Sequence, residues 1–222
     1  MQNEKTKRLT LTAMMIAIAT VIAFICGLIP FLNFPFGGGI TIASMLPIII
    51  IAYMYGTKWG IFTGFCYSII QMMLGHSTIA GLFMPNSDSY MMISYALLVC
   101  FIDYILAYTA LGLGGIFRNR IKNKALSLCV GSIVALTVCY LMHVLSGFLF
   151  YGVWAEWFFT DVMPSIGESI LATFSGKMLA LIYSFIYNGC YMIPEIIITA
   201  VATLIIARIP YIKKTDFVVL KK

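Results

Sequence analysis

The sequence predicts an all-α integral membrane protein of six transmembrane helices with both termini in the cytoplasm. Three observations lead there. Of the 222 residues, 62% are hydrophobic and only 10% charged, the mean hydropathy is +1.00, and the basic residues fall on alternate connections. A soluble domain of this size carries far more charge. A helix needs about 20 mainly apolar residues to cross a hydrocarbon core about 30 Å thick. Such runs recur along the whole chain, without the period-two alternation of barrel strands.

The first run, 9–29, is too long for the apolar stretch of a signal peptide and lacks a clear small-residue cleavage site, so it is expected to be retained as a helix. On it Ala13 and Ala17 form a small-xxx-small pair, extended by Ala19 and Ala23, which lets a second helix pack closely. Packing within the chain is the ordinary use of such a pair. The connection 30–40 contains Pro30, Pro35 and the run Gly37, Gly38, Gly39, which resist helix. It has neither the preceding strand nor the following Lys of a phosphate loop, and is expected to be a flexible outer loop.

Runs 40–55 and 59–74 are the shortest, and the tight break between them, Gly56 to Lys58, has the form of a helical hairpin turn. Runs 90–117, 125–151 and 178–207 complete the set. Segments 77–89 and 152–177 exceed the usual connection length. The second holds Trp154, Trp157, Phe158 and Phe159, an aromatic mix suited to the membrane interface or to a cavity mouth.

Loops rich in Lys and Arg stay in the cytoplasm. Lys5, Lys7, Arg8, Lys58, Arg118, Arg120, Lys122, Lys124, Arg208, Lys213, Lys214, Lys221 and Lys222 all fall on one side, 13 of the 14 basic residues. The opposite loops carry Asp88, Glu156, Asp161 and Glu168, with Lys177 as their single base. An even number of spans follows. The net charge of +6 is thereby accounted for by topology and by contact with anionic lipid in the bilayer, and no nucleic-acid partner is expected. Cys26, Cys66, Cys100, Cys129, Cys139 and Cys190 all lie within the spans, with no CxxC pair. They read as small packing residues, neither disulfides nor metal ligands.

An ionisable residue at the centre of a spanning helix costs on the order of 3 kcal/mol by insertion scales, so it normally faces a partner or a watery cavity. Asp103, His143 and Glu195 stand in the fourth, fifth and sixth runs. With a rise of about 1.5 Å per residue, Asp103, His143 and Asn188 lie at one depth, roughly 12 to 18 Å below the outer helix ends. Tyr104, Tyr151, Tyr183 and Tyr187 surround that layer with rings that stack on a flat group and donate a hydrogen bond. A carboxylate, an imidazole, an amide and aromatic faces at one depth suit a small, flat, cationic molecule that enters from outside.

Blander roles stand beside this one. His143 and Asn188 are equally suited to helix-to-helix hydrogen bonding, whereas Asp103 has no Lys or Arg in any span to neutralise it. Glu195 directly follows Pro194, where a helix kink leaves free backbone groups, and is expected to be structural. His76, at the outer end of the third run, is either interfacial or a ligand contact. A hydrolytic set of Asp103, His143 and Ser146 is the weaker alternative, since no GxSxG, HExxH or paired metal-binding aspartate accompanies it.

Taken together, these residues resemble the substrate-binding S components of energy-coupling factor vitamin transporters, above all the thiamine-specific ones. Ala13 and Ala17 match the Ala-x-x-x-Ala of that family's first helix, and Gly75 with His76 match the Gly-His that ends its third. Asp103 and Tyr104 stand where its fourth helix has an acid followed by Tyr, before a Gly-rich exit ending at Phe117 and Arg118. His143, Ser146, Gly147 and Tyr151 match the fifth helix, and Tyr183 with Ser184 and Asn188 with Gly189 the sixth. The family has Glu where Asp103 stands, Trp where Tyr151 stands, Tyr where Thr78 stands, and a Trp in the first outer loop.

The resemblance implies one membrane-embedded domain, residues 1–222, crossing the cell (plasma) membrane several times and capturing thiamine or a similar small cationic heterocycle from outside. Asp103, Tyr104, His143, Tyr151, Tyr183, Asn188 and His76 would contact the substrate. Ala13 and Ala17 would dock on a transmembrane coupling subunit, and two partner ATPase subunits would hydrolyse ATP. The chain has no nucleotide-binding motif of its own; it is expected to be a transport subunit, not an enzyme, and to need no cofactor. The alternatives are an S component for another heterocyclic vitamin and an intramembrane enzyme using Asp103 and His143.

Overall fold

In the computed structural model, which describes residues 2–34 and 37–209, all the regular elements are helices. They are α1 (Gln2–Gly27), α2 (Leu46–Tyr55), α3 (Thr57–Leu74), α4 (His76–Phe83), α5 (Ile93–Gly115), α6 (Lys124–Phe150), α7 (Pro164–Thr173) and α8 (Gly176–Ile206). By length and composition four segments can cross a bilayer: Asn3–Gly27, Ile93–Gly115, Lys124–Val162 and Gly176–Ile206. Their apolar side chains point outward as much as inward, with Phe24 54%, Ile25 52%, Ile197 58% and Ile205 64% exposed. In water so large an apolar surface would associate without limit; hydrocarbon is the solvent it matches.

The two shortest runs differ from their sequence outlines. The second, expected over 40–55, begins its helix only at Leu46, because residues 42–45 form a turn. The resulting ten-residue helix α2 sits at the centre of the bundle, with Ile48, Ile49 and Ile51 wholly buried. The break before α3 is a single residue, Gly56, at a φ of +92°, a left-handed conformation that costs glycine nothing. Backbone then packs on backbone: a Cβ on Gly112 of α5 would lie 2.2 Å from the Ile61 nitrogen of α3. Gly112→Ala is therefore expected to force the two helices apart and to destabilise the protein by about 1–3 kcal/mol. Thermal unfolding in detergent measures this, and an unchanged midpoint would show that the contact yields freely.

The two long connections, expected as loops, are largely helical. Residues 77–89 contain most of α4. Residues 152–177 contain a short turn (Gly152–Trp154), a turn of α-helix (Ala155–Trp157), a π turn (Phe158–Val162) and α7. Burial explains why they order: Phe158 and Phe159 are 2% and 0% exposed, and the Phe158 ring meets Tyr183 at 5.3 Å and Tyr187 at 5.7 Å. Two of the four aromatic residues there thus pack inside the protein instead of lying along an interface.

At one end of the bundle, Lys5, Arg8, Lys58, Arg118 and Arg120 line a cleft of about 520 Å³ together with Glu4. The Arg8 guanidinium lies 3.9 Å from the centre of the Trp59 ring, a cation–π contact. Pro35 and the basic residues Lys213, Lys214, Lys221 and Lys222 lie outside the described residues.

Candidate functional site

At the opposite ends of α1 and α3 the bundle encloses a cavity of about 350 Å³, within the span of about 300 to 1,000 Å³ usual for small-molecule sites. Four helices and one loop supply its chemistry. Asp103 and Tyr104 come from a π-helical stretch of α5, Cys100–Leu106. Such widened turns in an α-helix recur at functional sites because they re-aim side chains. His143, Gly147 and Tyr151 come from α6 and its C-cap, and Gln71 from α3, with Gly75 just after it. Tyr183, Tyr187, Asn188 and Tyr191 come from α8.

The three polar residues expected at one depth meet. His143 donates from Nδ1 to Asp103 Oδ1 at 2.7 Å. Asn188 donates to the His143 carbonyl at 3.3 Å and to the Ser184 carbonyl at 2.8 Å, and accepts from the Tyr191 hydroxyl. The pair is not sealed: His143 is 9% exposed at its side chain but Asp103 24%, into the cavity that it lines. The imidazole sits between two tyrosines, Tyr108 and Tyr191, each edge-on at 6.1 Å.

On α8 the rings of Tyr183, Tyr187 and Tyr191 recur every four residues, which places them on one helix face. They follow one another at 5.5 and 6.1 Å and form an aromatic wall. Tyr191 and Tyr108 are site residues that pattern reasoning passed over. Each stands four positions beyond a tyrosine already singled out, Tyr187 and Tyr104, and that spacing was the available signal.

His76 lies elsewhere. It is exposed, outside the cavity lining, with Nδ1 3.2 Å from the Met73 carbonyl. Its neighbour Gly75 lines the cavity instead: the Tyr104 hydroxyl would lie 2.7 Å from a Cβ there. Nor does a hydrolytic relay form. Besides Asp103, His143 meets Cys139, whose Sγ is 3.6 Å from Nε2, while the buried Ser146 hydroxyl has no hydrogen-bond partner among the described residues. Also among the described residues, no group of His, Cys, Asp or Glu is arranged to hold a metal ion.

The segment after α1 does more than connect. Its backbone folds back on itself, Phe34 N–H to the Gly38 carbonyl at 2.7 Å and Ile40 N–H to the Leu32 carbonyl at 2.9 Å. Gly37, Gly38, Gly39, Ile40 and Thr41 line the cavity, and a Cβ on Gly38 would meet the Tyr191 ring at 2.5 Å.

The model of the thiamine transporter protein family, Thia_YuaJ, matches residues 9–160. The chain belongs to the thiamine transporter protein family. A curated relative, the thiamine transporter ThiT of Bacillus subtilis, is 28% identical over 225 residues, which cover 97% of this chain and 98% of that protein. The stretch that matches the thiamine transporter family includes Asp103, His143, Tyr151 and the glycine segment. The tyrosine wall of α8 lies beyond it, but the likeness to the Bacillus protein extends over nearly the whole chain.

Ala13 and Ala17 of this family member are exposed, on the face of α1 turned away from the bundle, while Thr12, Ala19, Ala23 and Cys26 turn inward. Packing within the chain is thus not what this small-residue pair serves.

Proposed function

We propose that this chain is the membrane-embedded capture subunit of an energy-coupling factor type ABC transporter, binding thiamine from outside in the cavity between α3, α5, α6 and α8. One observation carries the proposal: the Asp103 carboxylate, in an apolar helix, keeps part of its surface toward a cavity walled by tyrosines. A buried acid calls for a cation, and aromatic faces attract the same cation through their quadrupoles. Thiamine supplies a thiazolium charge, and its aminopyrimidine ring supplies donors and acceptors for Asp103, Asn188 and the Tyr183 hydroxyl. Tyr104 and Tyr151 complete the enclosure, and His143 orients the acid. His76, exposed and outside the lining, is left out of the site.

The rest of the proposal follows the family resemblance. The whole chain acts as one domain with six membrane crossings in the plasma membrane, the basic cleft toward the cytoplasm. The exposed face of Ala13 and Ala17 meets the transmembrane coupling subunit, and two ATPase subunits supply the energy. Transport, not turnover, suits an imidazole whose two nitrogens face Asp103 and Cys139. The test is titration of the purified chain with thiamine, followed through tryptophan fluorescence. Trp157 adjoins Phe158, which packs on the tyrosine wall. Saturable one-to-one quenching, with the vitamin recovered unaltered, is expected. No saturable response, or conversion of the vitamin by the lone chain, would overturn the proposal.

A further inference from the structure

Glu195 is the one acid of α8 and is wholly buried. It follows Pro194 within the helix and lies outside the cavity lining. One of its oxygens, Oε2, accepts the backbone N–H of Thr41 at 3.1 Å, across 154 positions of sequence. The Ala43 N–H and the hydroxyls of Thr41 and Thr199 lie near the same carboxylate. Oε1 has no hydrogen-bond partner among the described residues, so the hydrogen bond that ties the carboxylate to the turn is the one to the Thr41 backbone.

The backbone it holds is unusual. Ile42 and Ala43 have φ values of +46° and +63°, a left-handed conformation that a β-branched residue rarely adopts. Such residues persist only where their surroundings over-determine them. Backbone N–H groups brought together by left-handed residues form a concavity that holds an anion, and here the anion is a side chain of the same protein. The Ser44 hydroxyl reinforces the turn by donating to Thr41 Oγ1 at 2.8 Å. Just before the turn comes the stretch Gly37 to Thr41 that lines the cavity, with Gly38 against Tyr191, one helical turn before Glu195 on α8.

We propose that Glu195 is a positioning residue: its carboxylate clamps the Thr41 to Ser44 turn onto α8 and so sets where the glycine segment closes the thiamine cavity. The inference rests on the thiamine site proposed above and adds to it a residue that acts through the backbone and never touches the ligand. The hold on the turn is one carboxylate oxygen on the Thr41 N–H. Glu195→Gln retains one acceptor and the side-chain shape, and Glu195→Ala retains neither.

The experiment pairs two readouts on detergent-purified wild type, E195Q and E195A. Thiamine dissociation and association rates come from stopped-flow fluorescence, and amide hydrogen exchange of the ligand-free protein comes from mass spectrometry. Leaving the Thr41 N–H without its acceptor is expected to speed thiamine release about 10- to 100-fold in E195A, with E195Q between it and wild type. Association should change less, because the encounter with the open cavity is unaltered. Exchange over residues 37–44 should accelerate in the same order while α6 and α8 keep their protection. Unchanged exchange over 37–44 would overturn the proposal, as would faster exchange with thiamine release unaffected. Loss of α8 protection in both variants would also overturn it, since the acid would then only support the helix. If wild type itself binds no thiamine, the ligand proposal fails, and the exchange readout still decides whether Glu195 holds the turn.

Discussion

Asp103→Ala is expected to weaken thiamine binding by about 30-fold to a few thousand-fold. Removing one member of a buried, hydrogen-bonded charge pair costs about 2–5 kcal/mol, and about 1.4 kcal/mol is a factor of ten. Here the loss is double: the vitamin's cation would have no carboxylate, and His143, held by Asp103 at 2.7 Å, would have no acceptor at Nδ1. Asp103→Asn separates the two effects, since it keeps the shape and removes the charge. If attraction to a cation dominates, the asparagine variant should lose nearly as much as alanine. Fluorescence titration of the purified variants measures both. Binding within twofold of wild type in the alanine variant would end the thiamine assignment for this cavity.

Paired bulk on the outer face of α1 is expected to separate uptake from binding. With Ala13→Trp and Ala17→Trp together, vitamin uptake by cells carrying the coupling and ATPase subunits should be lost, while the purified chain binds thiamine within about twofold of wild type. Both alanines are exposed and the cavity residues of α1 begin only at Ala23. Two indoles therefore fit without repacking the bundle, yet they block the close helix approach that small residues permit. Uptake of labelled thiamine and titration of the purified variant give the two readouts. If binding falls together with uptake, that face belongs to the fold; if uptake is unaffected, docking occurs elsewhere.

The cavity's acid, imidazole and amide were legible because their positions depend only on the rise of a helix. Counting residues inward from helix ends placed Asp103, His143 and Asn188 in one layer, and they meet there. The same arithmetic held the unused clue to Tyr108 and Tyr191, each four residues from a tyrosine already noted. His76 shows the limit of a motif: of the Gly-His pair, Gly75 lines the cavity while His76 is exposed and outside the lining. The segments 77–89 and 152–177 stood out only as long connections, and the second carries Phe158 onto the tyrosine wall, a contact that no local pattern announces.

By itself the sequence determined that this is an all-helical membrane protein and which buried polar groups share a level; of its six apolar runs, four are helices long and apolar enough to cross. Those properties follow from local composition and from the fixed geometry of a helix, and neither depends on which element lies beside which. Tertiary structure alone decided that the glycine segment lines the cavity and that α2 forms the short buried centre of the bundle. It also decided that Glu195 reaches Thr41. A contact across 154 residues leaves no periodic trace in the chain, because it exists only once the helices have packed and the left-handed turn has a carboxylate to close around.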